Sequence, residues 1–240
     1  MAVALIIGAS GTLGGAIARE LIARRCDVGL HYHLNKDACE KLAAQASATR
    51  VQLYSADFSD PAAPQALAAA FLKDFARLDV LVWASGMVSD APLLVLKEDD
   101  LRAQLDVDLK ALFLTLKAFS RQFIKQKSGA VVALSSHAGV AGRAGGAAYA
   151  MAHAGILALV KSAAREWGAL GVRVNAVVPP FLPESGMGRG AAPEFLAKVK
   201  AARALKADTD GAAAVAKFVA ELIENPVISG QVLSVDSRIS

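Results

Sequence analysis

Along the 240-residue chain, apolar residues gather in short unbroken runs rather than alternating with polar ones. Such runs fall at 3–7, 28–32, 51–54, 80–83, 130–134, 172–178 and 232–235. A strand buried on both faces reads this way, because each side of the pleat meets a covering layer. Between the runs lie Ala- and Leu-rich segments of helical period, at 13–24, 36–48, 64–76, 101–126, 148–169 and 212–223. Seven strands alternating with six helices predict an α/β fold, a doubly wound parallel seven-stranded sheet with helices on both faces. Nothing in composition divides the chain, so one domain over 1–240 is expected. The least regular stretch is a lid-like segment near 179–205, which opens with Pro179, Pro180 and Pro183 and carries Pro193 further on. A loop of that length in a compact domain is usually functional or disordered.

Composition narrows the picture. Apolar residues are 55% and charged residues 20% of the chain, which excludes a disordered class and predicts extensive packing against helices or sister subunits. The net charge of +4 is mild, and no run of five or six like charges offers a nucleic-acid footprint. Cys26 and Cys39 make neither a disulfide framework nor a zinc spacing. The apolar start lacks a basic leader and stops at Gly8, so it reads as a buried first strand. The Gly- and Ala-rich stretch 144–160, interrupted by His153, reads as too weak to span a bilayer. A soluble, cytoplasmic protein is expected, with no membrane or nucleic-acid partner.

Ligands in such sheets sit outside the carboxyl ends of the strands. There, after the first run, stands Gly8-Ala9-Ser10-Gly11-Thr12-Leu13-Gly14. Glycines let the backbone turn tightly and approach a pyrophosphate that the following helix N-terminus attracts. The turn predicts a Rossmann-type dinucleotide site, with a ligand-free tight turn as the alternative. After the second run, Leu30-His31-Tyr32-His33 contains no carboxylate to receive a ribose 2′-hydroxyl. That favours a 2′-phosphorylated cofactor, NADPH, with His33 as a hydrogen-bond donor. His31 and His33 share a strand face, but two ligands do not make a metal site, and none is expected. Asp57 with Phe58, after the third run, suits the adenine; Asp57 reads equally as a helix-start acid before Pro61.

Ser135-Ser136 ends the fifth run and Tyr149 follows Ser136 by thirteen residues. Together with Val174-Asn175-Ala176-Val177-Val178-Pro179 and the terminal Gly230-Gln231-Val232-Leu233-Ser234-Val235-Asp236, these motifs resemble the short-chain dehydrogenase/reductase family, in particular its 3-oxoacyl-acyl-carrier-protein reductases. The resemblance implies that Tyr149 protonates a substrate carbonyl while NADPH delivers hydride, and that Ser136 orients the carbonyl. It also implies cofactor contacts at Ser85, Gly86 and Pro179. In the family a Lys four residues beyond the Tyr binds the ribose and lowers the Tyr pKa, and a helix-four Asn anchors a water relay.

Here those two positions are His153 and Asp108. The family's Asn-Asn-Ala-Gly reads Trp83-Ala84-Ser85-Gly86, its Pro-Gly reads Pro179-Pro180, and a following Thr is Glu184. A lysine is fully charged at neutral pH, whereas a free histidine is only about a quarter protonated. A unit charge about 4 Å away is worth roughly 4 kcal/mol at an effective dielectric of 20, on the order of three pKa units. Replacing it weakens the site, unless Asp108 raises the His153 pKa and the two substitutions compensate.

The resemblance also suggests an acidic acyl carrier protein, docked through basic residues: one such position is Lys127, the other is Leu170. Phe181, Leu182 and Met187 suit an apolar acyl chain or a packed lid. The expectation is an NADPH-dependent carbonyl reductase for small-molecule or carrier-bound acyl substrates, as a homo-oligomer or with a paralogue. The alternative is an impaired member serving as partner subunit or nucleotide binder.

Overall fold

The computed structural model describes residues 1–205 and 211–238. The unit expected over 1–240 includes residues 206–210 and 239–240, which lie outside the described residues. Seven strands, β1 (Val3–Ile7), β2 (Asp27–Tyr32), β3 (Val51–Ser55), β4 (Val80–Trp83), β5 (Gly129–Leu134), β6 (Val172–Val178) and β7 (Val232–Ser234), form one sheet in the order β3-β2-β1-β4-β5-β6-β7. Every pairing is parallel. The order reverses at β1, which pairs with both β2 and β4. A crevice opens at such a switch point, beyond the carboxyl ends of the strands.

Alternate strand residues feed two cores. Leu5, Ile7, Leu81, Trp83, Val131 and Val174 join a cluster with α3 (Ala63–Phe75), α5 (Ala111–Gln126) and α7 (Ala147–Trp167). Ala4, Ile6, Val82, Val132 and Val177 join the opposite cluster with α1 (Thr12–Ala23), α2 (Lys36–Ala43) and α9 (Gly211–Glu224). Both faces are therefore apolar, which is why the strands appear as continuous runs in the sequence. Asn175 is the buried polar residue of β6. Its side chain donates to the Ile228 carbonyl and accepts from the Gln231 N–H, fixing the approach to β7.

Three departures from the sequence reading matter for the site. The helix expected over 101–126 is α4 (Glu98–Leu105) and α5, joined by a π-helical turn at Asp106–Lys110. Such turns insert a residue and often mark functional positions. Two short helices also escaped the periodicity: α6 (His137–Ala141) follows β5, and α8 (Pro193–Ala202) lies in the lid-like segment. The helix expected over 36–48 ends at Ala43, since little beyond it is apolar enough to bury.

The stretch read as too weak for a membrane needs correcting as well. By length and composition Ala147–Leu170 is sufficient to cross one. In the fold it is a packed element, burying Ala148, Ala152, Ile156 and Val160 in the domain.

Candidate active site

At the carboxyl end of β1, Gly8 turns the chain with φ of +78°, and a Cβ there would lie 2.7 Å from the Ala84 carbonyl oxygen. One at Gly14 would come within 2.2 Å of the Gly8 carbonyl oxygen, so α1 can begin this close to β1 only with glycine there. Gly11 is the N-cap of α1 and makes no side-chain cap, leaving first-turn N–H groups for an anion. Beside them is a cavity of about 410 Å3 lined by Ser10, Gly11, Thr12, Gly15, Arg19 and Glu184, among others. Leu13 and Gly14 belong to the first turn of α1. Arg19 had no signal in the sequence beyond being one more basic residue on an amphipathic helix.

His31, passed over as half of a doubtful metal pair, holds this turn in place. It is buried, its Nδ1 accepts the Gly8 N–H at 3.1 Å, and its Nε2 therefore carries the proton it shares with the Ala56 carbonyl at 3.1 Å. Burial lowers its pKa to about 4, so the neutral tautomer persists. Phe58 stacks on His31 with ring centroids 4.7 Å apart and reaches Trp83 at 5.1 Å. The Phe58 side chain is thus core. His33 lies past the end of β2 and is half-exposed, with Nε2 at 3.5 Å from the Asp57 carboxylate. The two residues assigned to ribose phosphate and adenine are neighbours.

On the other side of the switch point, Ser136 lies two residues beyond β5 as the N-cap of α6, its Oγ accepting the Ala138 N–H at 3.2 Å. The buried Ser135 hydroxyl donates to the His153 carbonyl at 3.0 Å, locking α7 to the strand end. Tyr149 lies in the first turn of α7 and His153 one turn later, with ring centroids 4.1 Å apart. The π-turn delivers Asp108, fully buried, with Oδ2 at 3.6 Å from His153 Nε2. Asp108 Oδ1 accepts the Met87 N–H at 2.9 Å, and Gln104 donates a short hydrogen bond to Oδ2. Gln104 also accepts from Ser89 N–H and donates to the Met87 carbonyl. Neither Gln104 nor these backbone partners carried a sequence signal, because the π-turn that aligns them is invisible to periodicity. Gly86 sits against the Asp108 carboxylate and the Met187 methyl of the lid-like segment, and Ser85 precedes it. Pro179 follows β6 directly.

The electrostatics revise the compensating-pair idea. Desolvation lowers the His153 pKa to about 4, and desolvation raises that of Asp108 to about 7 against its two hydrogen bonds. Burial penalises either charge, so it holds His153 toward its neutral form and Asp108 toward its protonated one. Burial also pushes the Tyr149 hydroxyl above its ordinary value, and the nearby Asp108 and Asp90 carboxylates add to that. A hydrogen bond with Ser136 and the Arg143 guanidinium work the other way. Both His153 ring nitrogens are buried without a hydrogen-bond partner among the described residues.

A parallel switch-point crevice, a glycine turn at a helix start, and a Ser–Tyr pair beside it define a nucleotide-dependent oxidoreductase fold and site. The short chain dehydrogenase family model matches residues 2–194, and the chain belongs to that family. It is 36% identical over 187 residues to the 3-oxoacyl-[acyl-carrier-protein] reductase of Synechocystis sp., covering 75% of this chain and 74% of that protein. The corresponding reductase of Staphylococcus aureus is 34% identical over 181 residues, with the same coverage. Nodulation protein G of Rhizobium meliloti is 34% identical over 184 residues, covering 77% and 74%. Among solved structures, NAD+-bound xylitol dehydrogenase superposes with a TM-score of 0.88 at 26% identity, over 98% of both chains.

Proposed function

We propose that this chain is an NADPH-dependent carbonyl reductase acting on 3-oxoacyl thioesters, with Tyr149 as general acid. The observation that carries this reading is the placement of Ser136, the N-cap of α6 just beyond β5, and Tyr149, in the first turn of α7, at the same end of the sheet as the glycine turn. The residues fit a dinucleotide. Gly8 lets the turn close against the Ala84–Ser85 backbone and Gly14 lets α1 start against it, the first turn of α1 offers N–H groups, and His153 has ring nitrogens without a hydrogen-bond partner for a ribose hydroxyl. The absence of a carboxylate at 30–33 supports the phosphorylated form, with His33 and Arg19 as its polar contacts.

Bound NADPH supplies the hydride for the carbonyl carbon. Ser136 holds the carbonyl oxygen against the Tyr149 hydroxyl, which gives it the proton. A phenol whose pKa is raised is fully protonated at neutral pH but is the weaker acid, so the chain keeps the proton donor at some loss of rate. Asp108 modulates that loss. Below about pH 7 it is neutral; above, its carboxylate holds the Tyr149 proton more tightly. Carrier-bound substrates fit Lys127, exposed where α5 ends, and the cytoplasm is the compartment this chemistry suits. The neutral His153 favours a second reading, a family member that binds nucleotide and reduces slowly or not at all.

The deciding experiment follows NADPH oxidation with a short 3-oxoacyl thioester from pH 5 to pH 9. Turnover is expected to fall as pH rises through about 7, and Tyr149→Phe is expected to lose roughly 100-fold or more in kcat. Asp108→Asn should flatten the limb near 7. No Tyr149-dependent turnover, with NADPH bound by fluorescence, would leave the nucleotide-binding reading standing. Tighter binding of NADH than NADPH would overturn the cofactor assignment alone.

A further inference from the structure

With His153 neutral, the cation nearest the reacting hydroxyl comes from elsewhere in the fold. Arg143 lies in the loop between α6 and α7, its guanidinium carbon 5.6 Å from the centroid of the Tyr149 ring, within cation–π range. It is not a free surface arginine. Its guanidinium is salt-bridged to Asp90, in the segment between β4 and α4, and its Nε is buried without another partner among the described residues. A backbone bridge between Ala91 and Gly146 ties the same two loops together. The guanidinium also lies on Gly146, where an added Cβ would meet Nε at 2.6 Å.

We infer that Arg143, clamped by Asp90 across the mouth of the site, is the positioning cation for Tyr149 in a chain that has histidine at 153, and sets how readily the hydroxyl releases its proton. The inference rests on the reading of Tyr149 as general acid. Burial acts on that hydroxyl most; beside it the Ser136 hydroxyl and Arg143 favour ionisation, the Asp108 and Asp90 carboxylates oppose it, and the His153 ring packs against the phenol ring. Arg143 pulls the hydroxyl toward ionisation and Asp90, its clamp, moderates that pull. The pair is therefore a balanced device. Removing either partner should move Tyr149 in opposite directions, which a merely structural contact would not do.

The chain has three tyrosines, Tyr32, Tyr54 and Tyr149, so fluorotyrosine incorporation gives three 19F resonances, and the Tyr149→Phe variant identifies the one that matters. Its pH titration is read without turnover. Arg143→Gln should shift that titration upward, on the order of one pH unit. Arg143→Lys should restore it. Asp90→Asn should shift it downward, and this variant tests the idea even if Arg143→Gln fails to fold. kcat should fall several-fold in Arg143→Gln with KM little changed, and recover in Arg143→Lys. A Tyr149 titration unmoved in folded Arg143→Gln, or moved the same way by Asp90→Asn, overturns the inference. Opposite shifts in a chain that turns over no thioester would sustain it while removing the reductase reading.

Discussion

Asp108 and His153 face each other in a pocket with almost no solvent, and their proton inventory has a measurable consequence for stability. Asp108 is raised to about 7 in the fold, so the folded chain keeps a proton that the unfolded chain releases. The stability this contributes is full below pH 4 and is lost as pH rises to about 7. His153 works in the opposite sense: depressed to about 4, it favours the unfolded chain in acid, and that penalty disappears as pH rises through 6.5. Over their shared window the two slopes nearly cancel in the wild type. Asp108→Asn removes one slope and leaves the other. Its Nδ2 would also confront the Gln104 amide that now donates to Oδ2, a pH-independent loss of roughly 1 kcal/mol. Relative to wild type the variant should therefore gain about 2–3 kcal/mol on going from pH 5 to pH 8. Urea unfolding at the two values measures this directly. An equal difference at both would mean that the Asp108 carboxyl titrates as an ordinary one.

The elements bring the chemistry together by close approach. α6 lies against α7 at Gly139, where an added Cβ would sit 2.7 Å from the His153 carbonyl carbon and 2.8 Å from the Ala154 nitrogen. Both obstacles are backbone, so one helix must move. Ser136 caps α6, and Tyr149 and His153 ride on α7. Gly139→Ala should therefore cost about 1–3 kcal/mol in stability and also separate Ser136 from Tyr149. The check is kcat measured well below the melting temperature, expected to fall at least tenfold, with the exposed Val140→Ala on the same helix as a neutral control. This contact also explains what the sequence could and could not reveal. The strands were legible because each is apolar on both faces. Gly8 stood out because a tight turn after a buried strand constrains it locally, and Ser136 and Tyr149 stood out through the family resemblance. Asp108 could be placed by motif, yet its π-turn could not, since the slip of one residue leaves the apolar pattern of 101–126 continuous. α6 has five residues, too few to show a period. Gln104, His31, Arg143 and Asp90 derive their roles from partners distant in sequence or from that turn, and a polar residue read alone gives no sign of them.

At the scale of the whole molecule, the surface is informative where apolar residues stay outside. Isolated exposed leucines are ordinary, but Leu93, Leu94 and Val95 are consecutive and exposed by 77%, 96% and 61%. Phe113 and Ile124 on α5 and Met151 on α7 are also nearly half exposed. Fully burying one such leucine is worth about 1.5–3 kcal/mol, and a two-fold contact counts each residue twice. Self-association through these residues, as an assembly of at least two copies, is the expected outcome. Leu93 to Val95 lie just beyond Asp90 and the Ala91–Gly146 bridge. A neighbour seated on them would hold the loop that clamps Arg143. Assembly and catalysis should then be coupled. Sedimentation velocity at micromolar concentration should show a species of at least twice the chain mass, and Leu94→Glu should convert it to a folded monomer. In that monomer the Tyr149 titration should depart from its wild-type position, because the loop bearing Asp90 and the guanidinium paired with it are no longer braced. A wild-type chain that sediments as a monomer at every concentration would point instead to a different protein on this face. A monomeric Leu94→Glu with an unchanged Tyr149 titration would separate assembly from the chemistry of the site.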